Sequence, residues 1–247
     1  MLGFSARCTR ISRPSTLALA LVSAAGCITD AEQDPAVGDA GETTASDAAV
    51  ASGPILPWSV GNSWTYRVTD SDGVSTKVTE IDSESRVDGS GPHADEMAYK
   101  VVTLKADGTD QTVSWQAPEG DKVIRFREQS FAKNTDTLTL EEHWDPYKLH
   151  VDGSPEHTRA EATWLETYDE TKLPVGGAQR TTQERDRWTV DQPDASVTVP
   201  AGTFDHCIVF TKAGGNDLKT YWYVRGIGKI KETGGQTEEL LSYEVAP

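Results

Sequence analysis

The chain of 247 residues contains only three cysteines, too few for a disulfide framework. Cys8 lies in an N-terminal leader, Cys27 lies at the end of that leader, and Cys207 is alone in the body of the chain. If the leader is cleaved and Cys27 is modified, Cys207 has no partner for an intramolecular disulfide. The fold is therefore expected to depend on its hydrophobic core.

Positive charge is also scarce, with 23 Lys and Arg residues against 39 Asp and Glu residues and a formal net charge of −16. Arg7, Arg10 and Arg13 all precede Cys27, so cleavage there would lower the charge to −19. No cluster or stripe of Lys and Arg offsets this acidity. Such a chain repels phosphate backbones, and we expect no nucleic-acid partner.

Motifs that carry familiar chemistries are missing from the sequence. There is no His-Glu-x-x-His, Cys-x-x-Cys, Gly-x-Ser-x-Gly, Walker loop or dinucleotide fingerprint. No nucleophile and base form a coherent pair, so a hydrolase is the least favoured class. The sequence predicts a protein that is not an enzyme and has no cofactor and no metal site.

No hydrophobic run is long enough to span a bilayer. The apolar run at 17–26 has the length of a signal-peptide core, and it follows a segment with three arginines and no acidic residue. Ala24-Ala25-Gly26-Cys27 resembles the lipobox of bacterial lipoproteins, although Ala24 replaces the usual leucine. An ordinary secretory leader cleaved near Ala25 is the alternative.

The lipobox resemblance implies that residues 1–26 are a lipoprotein signal peptide and that Cys27 becomes the acylated N-terminus, with palmitate among its acyl chains. Two or three chains anchor a protein firmly, whereas one binds only marginally. By the sorting rule of that class, Ile28 rather than Asp after the cysteine favours the outer membrane. The expected location is the periplasmic side of that membrane or the cell surface, with the membrane itself as partner through Cys27.

Residues 27–53 predict an acidic disordered tether. From Ile28 to Gly53 the chain has no Lys, Arg or aromatic residue and consists largely of Asp, Glu, Ala, Gly, Ser and Thr. Such a segment cannot bury enough apolar surface to offset its conformational entropy. It is expected to act as a flexible, self-repelling spacer.

From residue 54 onward the hydrophobic period is two, and no helical stripe of ten residues is sustained. Trp64, Tyr66 and Val68 alternate with polar neighbours, which is typical of a half-buried strand. The best helical candidate, 158–172, suits a strand equally well. Strands are predicted at 64–69, 74–87, 97–105, 113–115, 123–126, 138–144, 149–151, 162–168, 183–190, 196–199, 204–211, 220–225, 228–232 and 239–245.

This spacing of strands and turns predicts an all-β domain over 54–247: a single curved antiparallel sheet of roughly ten or more strands with few or no helices. Four segments resemble a large group of bacterial lipoproteins of uncharacterised function. They are Pro57–Tyr66, Val199–Phe204, Tyr221–Gly228 and Glu239–Tyr243. The group is similar in architecture to the outer-membrane lipoprotein carrier and receptor family, which implies a half-open barrel with a hydrophobic groove. The resemblance implies no catalytic residue.

Aromatic side chains on these strands are the candidate ligand site. They fill the interior of the curved sheet or line a groove for an acyl chain or another apolar ligand. The candidates are Trp64, Tyr66, Trp115, Phe126, Trp188, Tyr221 and Tyr223.

Three smaller patterns are interpreted as structural. In Asp205-His206-Cys207, neighbours on a strand point to opposite faces and Asp205 would raise the pKa of the thiol, so Cys207 is expected to be a small core residue. Three histidines recur every seven residues, but odd spacing separates them on a strand and weakens a metal site. Two Asp/Gly-rich segments lack the remaining ligands of a calcium loop and predict turns. The three histidines are His143, His150 and His157, and the two Asp/Gly-rich segments are Asp70–Gly73 and Asp107–Asp110.

Two functions remain open from the sequence. One is a non-enzymatic envelope lipoprotein that holds an apolar ligand or a lipoprotein in a half-barrel groove. The other is a structural or interaction module that binds an envelope protein through its surface. An accessible internal cavity would favour the first, and a solid core would favour the second.

Overall fold

Alternating side chains at 63–70 form the first strand of a computed structural model that describes residues 53–105, 111–133, 135–215 and 217–246. In β1 (Ser63–Asp70), Trp64, Tyr66 and Val68 are buried while Arg67 is exposed. The described residues belong to one compact unit. The predicted leader and nearly all of the predicted tether lie outside them. The other strands are β2 (Gly73–Arg86), β3 (Met97–Lys105), β4 (Gln111–Glu119), β5 (Lys122–Phe131), β6 (Leu138–Asp152), β7 (Thr163–Pro174), β8 (Arg180–Val199), β9 (Gly202–Gly214), β10 (Asp217–Val224), β11 (Gly228–Thr233) and β12 (Thr237–Glu244).

All twelve strands pair with their sequence neighbours in antiparallel fashion, which confirms the predicted all-β fold built on one curved antiparallel sheet. The sheet is closed, because β1 also pairs with β12 from Ser63↔Glu244 to Thr69↔Thr237. The half-open barrel implied by the resemblance is therefore corrected to a closed one. Closure satisfies the backbone groups that two free edge strands would expose, and only full closure removes such edges.

The number of strands determines what the interior can hold. About eight strands give a barrel whose side chains just fill the interior, and wider barrels enclose ligand cavities or channels. A twelve-stranded barrel is wider, and alternate residues of every strand face its lumen. We therefore expect open space inside this barrel.

One end of the barrel is covered by the residues that precede β1. Ile55 and Leu56 are almost fully buried, and Gly226 N donates to Pro54 O at 2.8 Å. Trp58 stacks on Trp64 with ring centroids 6.3 Å apart. This segment, residues 54–58, is called the plug below.

Gly228 permits the plug to approach the sheet closely. Its φ is +107°, in the left-handed region that glycine adopts readily. A Cβ at this position would lie 2.7 Å from Leu56 Cδ1.

Two further segments cover the outside of the barrel. Residues 87–96, between β2 and β3, pack against β5, where Arg127 Nη1 donates to Val87 O at 2.7 Å and His93 stacks on Phe126. The β8–β9 hairpin extends past β7 and reaches β12, where Ala201 N donates to Leu240 O at 2.9 Å. These coverings bury apolar side chains on both faces of parts of the sheet.

Helical structure is limited, in the described residues, to the single turn α1 (Pro155–Thr158). The segment 158–172, which suited a helix or a strand, forms mostly β7. Within the same residues no helix is long and apolar enough to cross a membrane.

Candidate functional site

The barrel encloses a cavity of about 650 Å³ that is lined by the inner face of the sheet. Its lining includes residues from β1 through β12 and two residues of the plug, Leu56 and Trp58. The volume lies within the range of pockets that hold small ligands. The cavity is the principal candidate site among the described residues.

The cavity opens at the end opposite the plug. Lys172, Lys219 and Asp217, at the hairpin ends of β7 and β10, have substantially exposed side chains. Trp188 and Tyr223, nearer the plug, are each 1% exposed. The hairpin end is called the mouth below, and the plug end is called the base.

The charge of the cavity differs from that of the whole chain. Its lining contains seven of the 23 basic residues and seven of the 39 acidic residues, so the cavity is balanced while the rest of the chain is strongly acidic. Buried charges need partners because desolvation is costly. The basic residues are Lys77, Arg125, Lys148, Lys172, Lys212, Lys219 and Lys229, and the acidic residues are Glu128, Glu170, Glu184, Asp186, Asp217, Glu232 and Glu238.

One wall, formed by β10–β12 with β2, is organised around Lys229. Its ammonium donates to Glu232 Oε2 at 2.5 Å and to Glu238 Oε2 at 2.8 Å, and Lys77 also pairs with Glu238. Burial opposes the charge of Lys229, but the two carboxylates outweigh it and raise its pKa well above 10.5. Lys77 has less compensation, so burial and the charge of Lys229 lower its pKa to about 8.

The opposite wall holds a second set of pairs. Lys212 Nζ lies 2.7 Å from Asp186 Oδ2, and Tyr168 Oη donates to the same oxygen at 2.9 Å. Burial lowers the pKa of Lys212 despite this partner. Glu170 Oε1 accepts from Trp144 Nε1 at 3.1 Å. Burial opposes the charge of Glu170, but its hydrogen-bonding and charged partners outweigh burial and lower the pKa of the carboxyl.

His150 lies between these walls near the base. Arg125 Nη2 is 3.2 Å from His150 Nδ1, and Arg125 Nη1 donates to Glu128 Oε2 at 2.8 Å. Burial, followed by the charges of Arg125, Lys229 and Lys212, lowers the pKa of His150 well below 6.5. The imidazole is therefore neutral at physiological pH, and its Nδ1 accepts from Arg125.

Five of the seven predicted aromatic residues line this cavity: Trp64, Tyr66, Trp188, Tyr221 and Tyr223. Trp188 and Tyr221 stack with centroids 5.8 Å apart, and Lys212 Nζ lies 5.3 Å from the Trp188 ring centroid. The aromatic residues are thus brought together at the base, but among ion pairs rather than along an apolar groove.

Trp115 and Phe126 are the exceptions, and their placement in the same groove is corrected. They face the other side of the sheet. Trp115 Nε1 donates to Ser85 Oγ of β2 at 3.1 Å, and the Phe126 ring stacks on His93, in residues 87–96, at 4.5 Å. Alternation assigns a residue to one of two faces, but it does not say which face is inside.

Cys207 is a core residue, as predicted. It is completely buried, and burial followed by the charge of Asp205 raises its pKa to about 11. His206 turns away from it and pairs with Asp194 through Nδ1 at 2.9 Å. A buried thiol with a raised pKa is a poor nucleophile.

The three evenly spaced histidines lie in three separate environments. His143 Nε2 is 2.8 Å from Glu141 on the covered outer face, His150 lines the cavity, and His157 Nδ1 is 2.7 Å from Asp152 Oδ2 beside α1. In the parts of the chain that the structure describes, no group of three or more His, Cys, Asp and Glu side chains converges as metal ligands would.

The Asp-rich segments have different outcomes. Asp70 closes the β1–β2 turn, where its Oδ1 accepts from Asp72 N at 2.9 Å, so the predicted turn is confirmed. Asp107–Asp110 lies outside the described residues. The charged lumen was not predicted from the sequence. Its signal is charge on both faces of a strand, as in 180–190, where Glu184 and Asp186 alternate with Arg185 and Arg187, and in 228–233.

No protein-family model and no curated protein match the chain. One similar solved structure is described as an exported protein with a YmcC-like fold from Bacteroides fragilis NCTC 9343. It is 13% identical, with a TM-score of 0.46, and the match covers 78% of this chain and 100% of that chain. Another is described as a lipoprotein from Parabacteroides distasonis ATCC 8503, at 10% identity and a TM-score of 0.28, covering 78% and 99% of the two chains. Both likenesses are too distant to transfer a site or a ligand.

Proposed function

We propose that the protein is a lipid-anchored envelope protein without enzymatic activity that holds a small polar molecule inside its barrel. The observation that carries this proposal is the cavity of about 650 Å³ with charged walls and an aromatic base. Buried ion pairs cost more than apolar filling of the same volume, so a polar lumen is not explained by stability. A binding role accounts for it.

The anchor in this proposal is Cys27, acylated after removal of residues 1–26 and linked to the barrel by the tether 27–53. The arginine-containing leader, the apolar run and Ala24-Ala25-Gly26-Cys27 support export and lipidation. Ile28 after the cysteine supports the outer membrane, at its periplasmic side or at the cell surface.

The absence of catalysis is supported by where the reactive groups lie. The Cys207 thiol is buried outside the cavity lining, and its pKa of about 11 leaves it protonated. Lys77, the cavity amine whose pKa is lowered to about 8, is paired with Glu238. In the described lining, no nucleophilic side chain faces a pair of groups that could act as general acid and general base.

The apolar groove of the initial hypothesis is the less favoured form of the binding function. An acyl chain in this cavity would contact the aromatic base, including Trp64 and Trp188, and would also cover fourteen charged side chains. Covering charges without giving them hydrogen bonds is unfavourable. A polar ligand avoids this cost.

An interaction module is the second candidate function, and exposed apolar residues near the mouth favour it. Val74, Val175 and Leu218 are 71%, 63% and 63% exposed, and Leu104 is 43% exposed. Exposed apolar residues that cluster on one end of a molecule mark surfaces for a protein partner. This function would use the rim of the barrel and not its interior.

A substitution that fills the cavity separates the two functions. Thr103 on β3 lines the cavity, where its Oγ1 lies 3.2 Å from Thr79 Oγ1, whereas Leu104 is its outward-facing neighbour. Thr103→Trp should block any ligand that enters the barrel, and Leu104→Trp should perturb only the outer surface. The experiment screens the full lipidated chain in detergent against sugars, amino acids, carboxylates and phosphate esters, using the shift in Tm and calorimetry.

Binding by the wild type and by Leu104→Trp, with loss of binding in Thr103→Trp, supports a ligand in the lumen. If no compound in the screen binds, or if Thr103→Trp binds as well as the wild type, the lumen is not the site. Loss of binding in Leu104→Trp alone would favour a contact on the rim. Circular dichroism checks that both variants fold.

A further inference from the structure

The interior of the barrel holds seven basic side chains in a protein whose formal net charge is −16. Arg125, Lys77, Lys212 and Lys229 all line the cavity, where Arg125 Nη2 lies 3.2 Å from His150 Nδ1 and Lys212 Nζ lies 5.3 Å from the Trp188 ring centroid. Like charges repel more strongly where the dielectric constant is low. A cluster of this kind is stabilised by an anion in its midst.

The carboxylates of these pairs are already engaged in the cavity wall. Glu238 accepts from Lys77, Lys229 and Gln236, and Glu232 accepts from Lys229 and Lys219. The other wall shows the same arrangement. Asp186 accepts from Lys212 and Tyr168, and Glu170 accepts from Trp144, Lys148 and Lys172. Each of these carboxylates therefore has at least two donors.

The donors of the cavity lining are not all used. Lys77 and Lys212 each have one ion-pair partner among the described residues although an ammonium carries three N–H groups. The Tyr221 and Tyr223 hydroxyls have no hydrogen-bond partner in that part of the chain, and neither does the buried Nε of Arg125. Among the buried side-chain atoms of the described lining without a partner, three are donors, Trp58 Nε1, Arg125 Nε and Trp188 Nε1, and one is an acceptor, Gln116 Oε1. The lining thus presents more unused donors than unused acceptors.

Resting on the proposed binding function, we propose that the cavity binds the oxyanion group of a small organic molecule. Arg125 and Lys212 supply the charge, and the Tyr221 and Tyr223 hydroxyls supply further donors. A carboxylate, phosphate or sulfate carries only acceptors and matches this surplus, whereas an ammonium would add donors where acceptors are already occupied. The remainder of the molecule lies towards Trp188 and the mouth, where a flat or apolar group fits beside the indole.

A set of matched probes tests the charge requirement. Benzoate, phenyl phosphate and benzenesulfonate present three oxyanions on one ring, while benzyl alcohol and benzylamine are neutral and cationic counterparts. Each probe is titrated into the full lipidated chain in detergent by calorimetry at low salt. The anionic probes are expected to bind at least tenfold more tightly than the other two, and the three anions show which oxyanion fits best.

Variants locate the site. Lys212→Met and Arg125→Met should each weaken the anionic probe at least tenfold. Arg67→Met and Lys231→Met remove equal charges from the outer face and should change the affinity less than twofold. Because Lys212→Met leaves Asp186 without its cation and can unfold the barrel, Tyr223→Phe is the second variant. It removes an unpartnered hydroxyl and should weaken binding about threefold to tenfold while leaving Tm unchanged.

The inference is overturned if the neutral or cationic probe binds as tightly as the anions, or if the outer-face variants weaken binding as much as the inner ones. It is also overturned if Tyr223→Phe and Arg125→Met, both folded, bind like the wild type. Failure of the proposed function looks different. If neutral polar compounds bind and are blocked by Thr103→Trp while anions do not bind, the lumen is a ligand site of another specificity.

Discussion

The environment of Cys207 explains why a conspicuous sequence, Asp205-His206-Cys207, carries no chemistry. Its Sγ lies 3.3 Å from Phe204 O, inside the apolar layer between the β8–β9 hairpin and the barrel. Burial and the nearby carboxylate of Asp205 both favour the neutral thiol. His206 adopts a positive φ of 58° and pairs elsewhere, so no base reaches the sulfur.

We predict that Cys207 reacts slowly with Ellman's reagent in the native protein and rapidly after denaturation. With a pKa of about 11, only about one thiol in a thousand is ionised at pH 8, and the folded chain also covers the sulfur. If the leader is removed and Cys27 is acylated, as proposed, Cys207 is the only thiol and the signal is unambiguous. Cys207→Ala should cost about 1 kcal/mol in urea unfolding. Fast labelling of the native protein would contradict the core role.

Gly228 provides a second test at the scale of one residue. Gly228→Ala adds a Cβ that lies 2.7 Å from Leu56 Cδ1, on a backbone with φ of +107°. Gly61 is the matched control, because its φ is +91° and a Cβ there meets nothing within 4 Å. Both substitutions pay for the strained backbone, and only Gly228→Ala also displaces the plug.

We therefore expect Gly228→Ala to lower the free energy of unfolding by about 1–3 kcal/mol more than Gly61→Ala does. Chemical denaturation of the two variants and the wild type measures the difference. Equal effects would mean that Leu56 relaxes freely and that the contact between plug and sheet is loose.

Among the elements, the strands were the most predictable part of the molecule. Met97–Lys105 has the predicted bounds, because alternation and the flanking turn residues define a strand locally. The predicted pieces 138–144 and 149–151 form one strand, β6, because pairing with β5 resumes beyond Pro146 at Lys148, whereas pairing with β7 ends at Asp145. Local composition suggested a break that long-range pairing overrides.

The contents of the barrel were less predictable than its strands. Five aromatic residues of the site were identified from their strand positions, but Lys77, Arg125 and Lys212 were not. A period of two distinguishes two faces without identifying the lumen, and both faces of these strands contain charge. Whether the sheet closes depends on pairing between β1 and β12. The paired residues lie between 168 positions apart, at Thr69↔Thr237, and 181 positions apart, at Ser63↔Glu244, so closure leaves no local signal.

The plug is an element whose removal should open the base. Leu56→Ala deletes a side chain that is 6% exposed and lines the cavity beside Trp58, and we expect the free energy of unfolding to fall by about 2–4 kcal/mol.

Deleting residues 30–50 of the predicted tether should leave Tm unchanged, because that segment has little apolar surface to pack. Thermal unfolding of the two variants compares them directly. A drop of several degrees on deleting 30–50 would show that the segment is structural.

For the molecule as a whole, the ion pairs of the lumen link stability to pH. Lys229 and Lys77 hold the pKa of Glu232 and Glu238 below the ordinary value of 4.5, although burial alone would raise it. A carboxyl whose pKa is lower in the folded state than in the unfolded state stabilises the fold at pH values above its unfolded pKa. That stabilisation is lost as pH falls from 4.5 through the folded pKa.

We predict that the free energy of unfolding decreases as pH is lowered below 4.5 and that Glu232→Gln shows a smaller decrease than the wild type. Urea unfolding at a series of pH values measures both slopes. Glu119→Gln, in an exposed position at the end of β4, is the control and should follow the wild type. Parallel curves for all three proteins would mean that Glu232 is not preferentially ionised in the fold.

Anchoring is the other property that belongs to the whole chain. Expressed in a bacterium that processes lipoproteins, the wild type should partition into detergent and incorporate a palmitate analogue. Cys27→Ser should yield unlabelled protein that is released or keeps its leader, and Cys207→Ser should label normally. An unlabelled wild type would leave an ordinary secretory leader as the better interpretation.

An even number of antiparallel strands has a consequence for how such a protein can diversify. The chain enters and leaves the barrel at the base, where Ala246 N donates to Asn62 Oδ1 at 2.8 Å, so neither terminus competes for space at the mouth. Every connection at the mouth joins two adjacent strands, beginning with β1–β2 and ending with β11–β12. These connections can change length and composition without altering strand register, as in other scaffolds whose loops carry recognition. Related barrels can thus acquire new ligands through changes in their mouth turns while the plug stays constant.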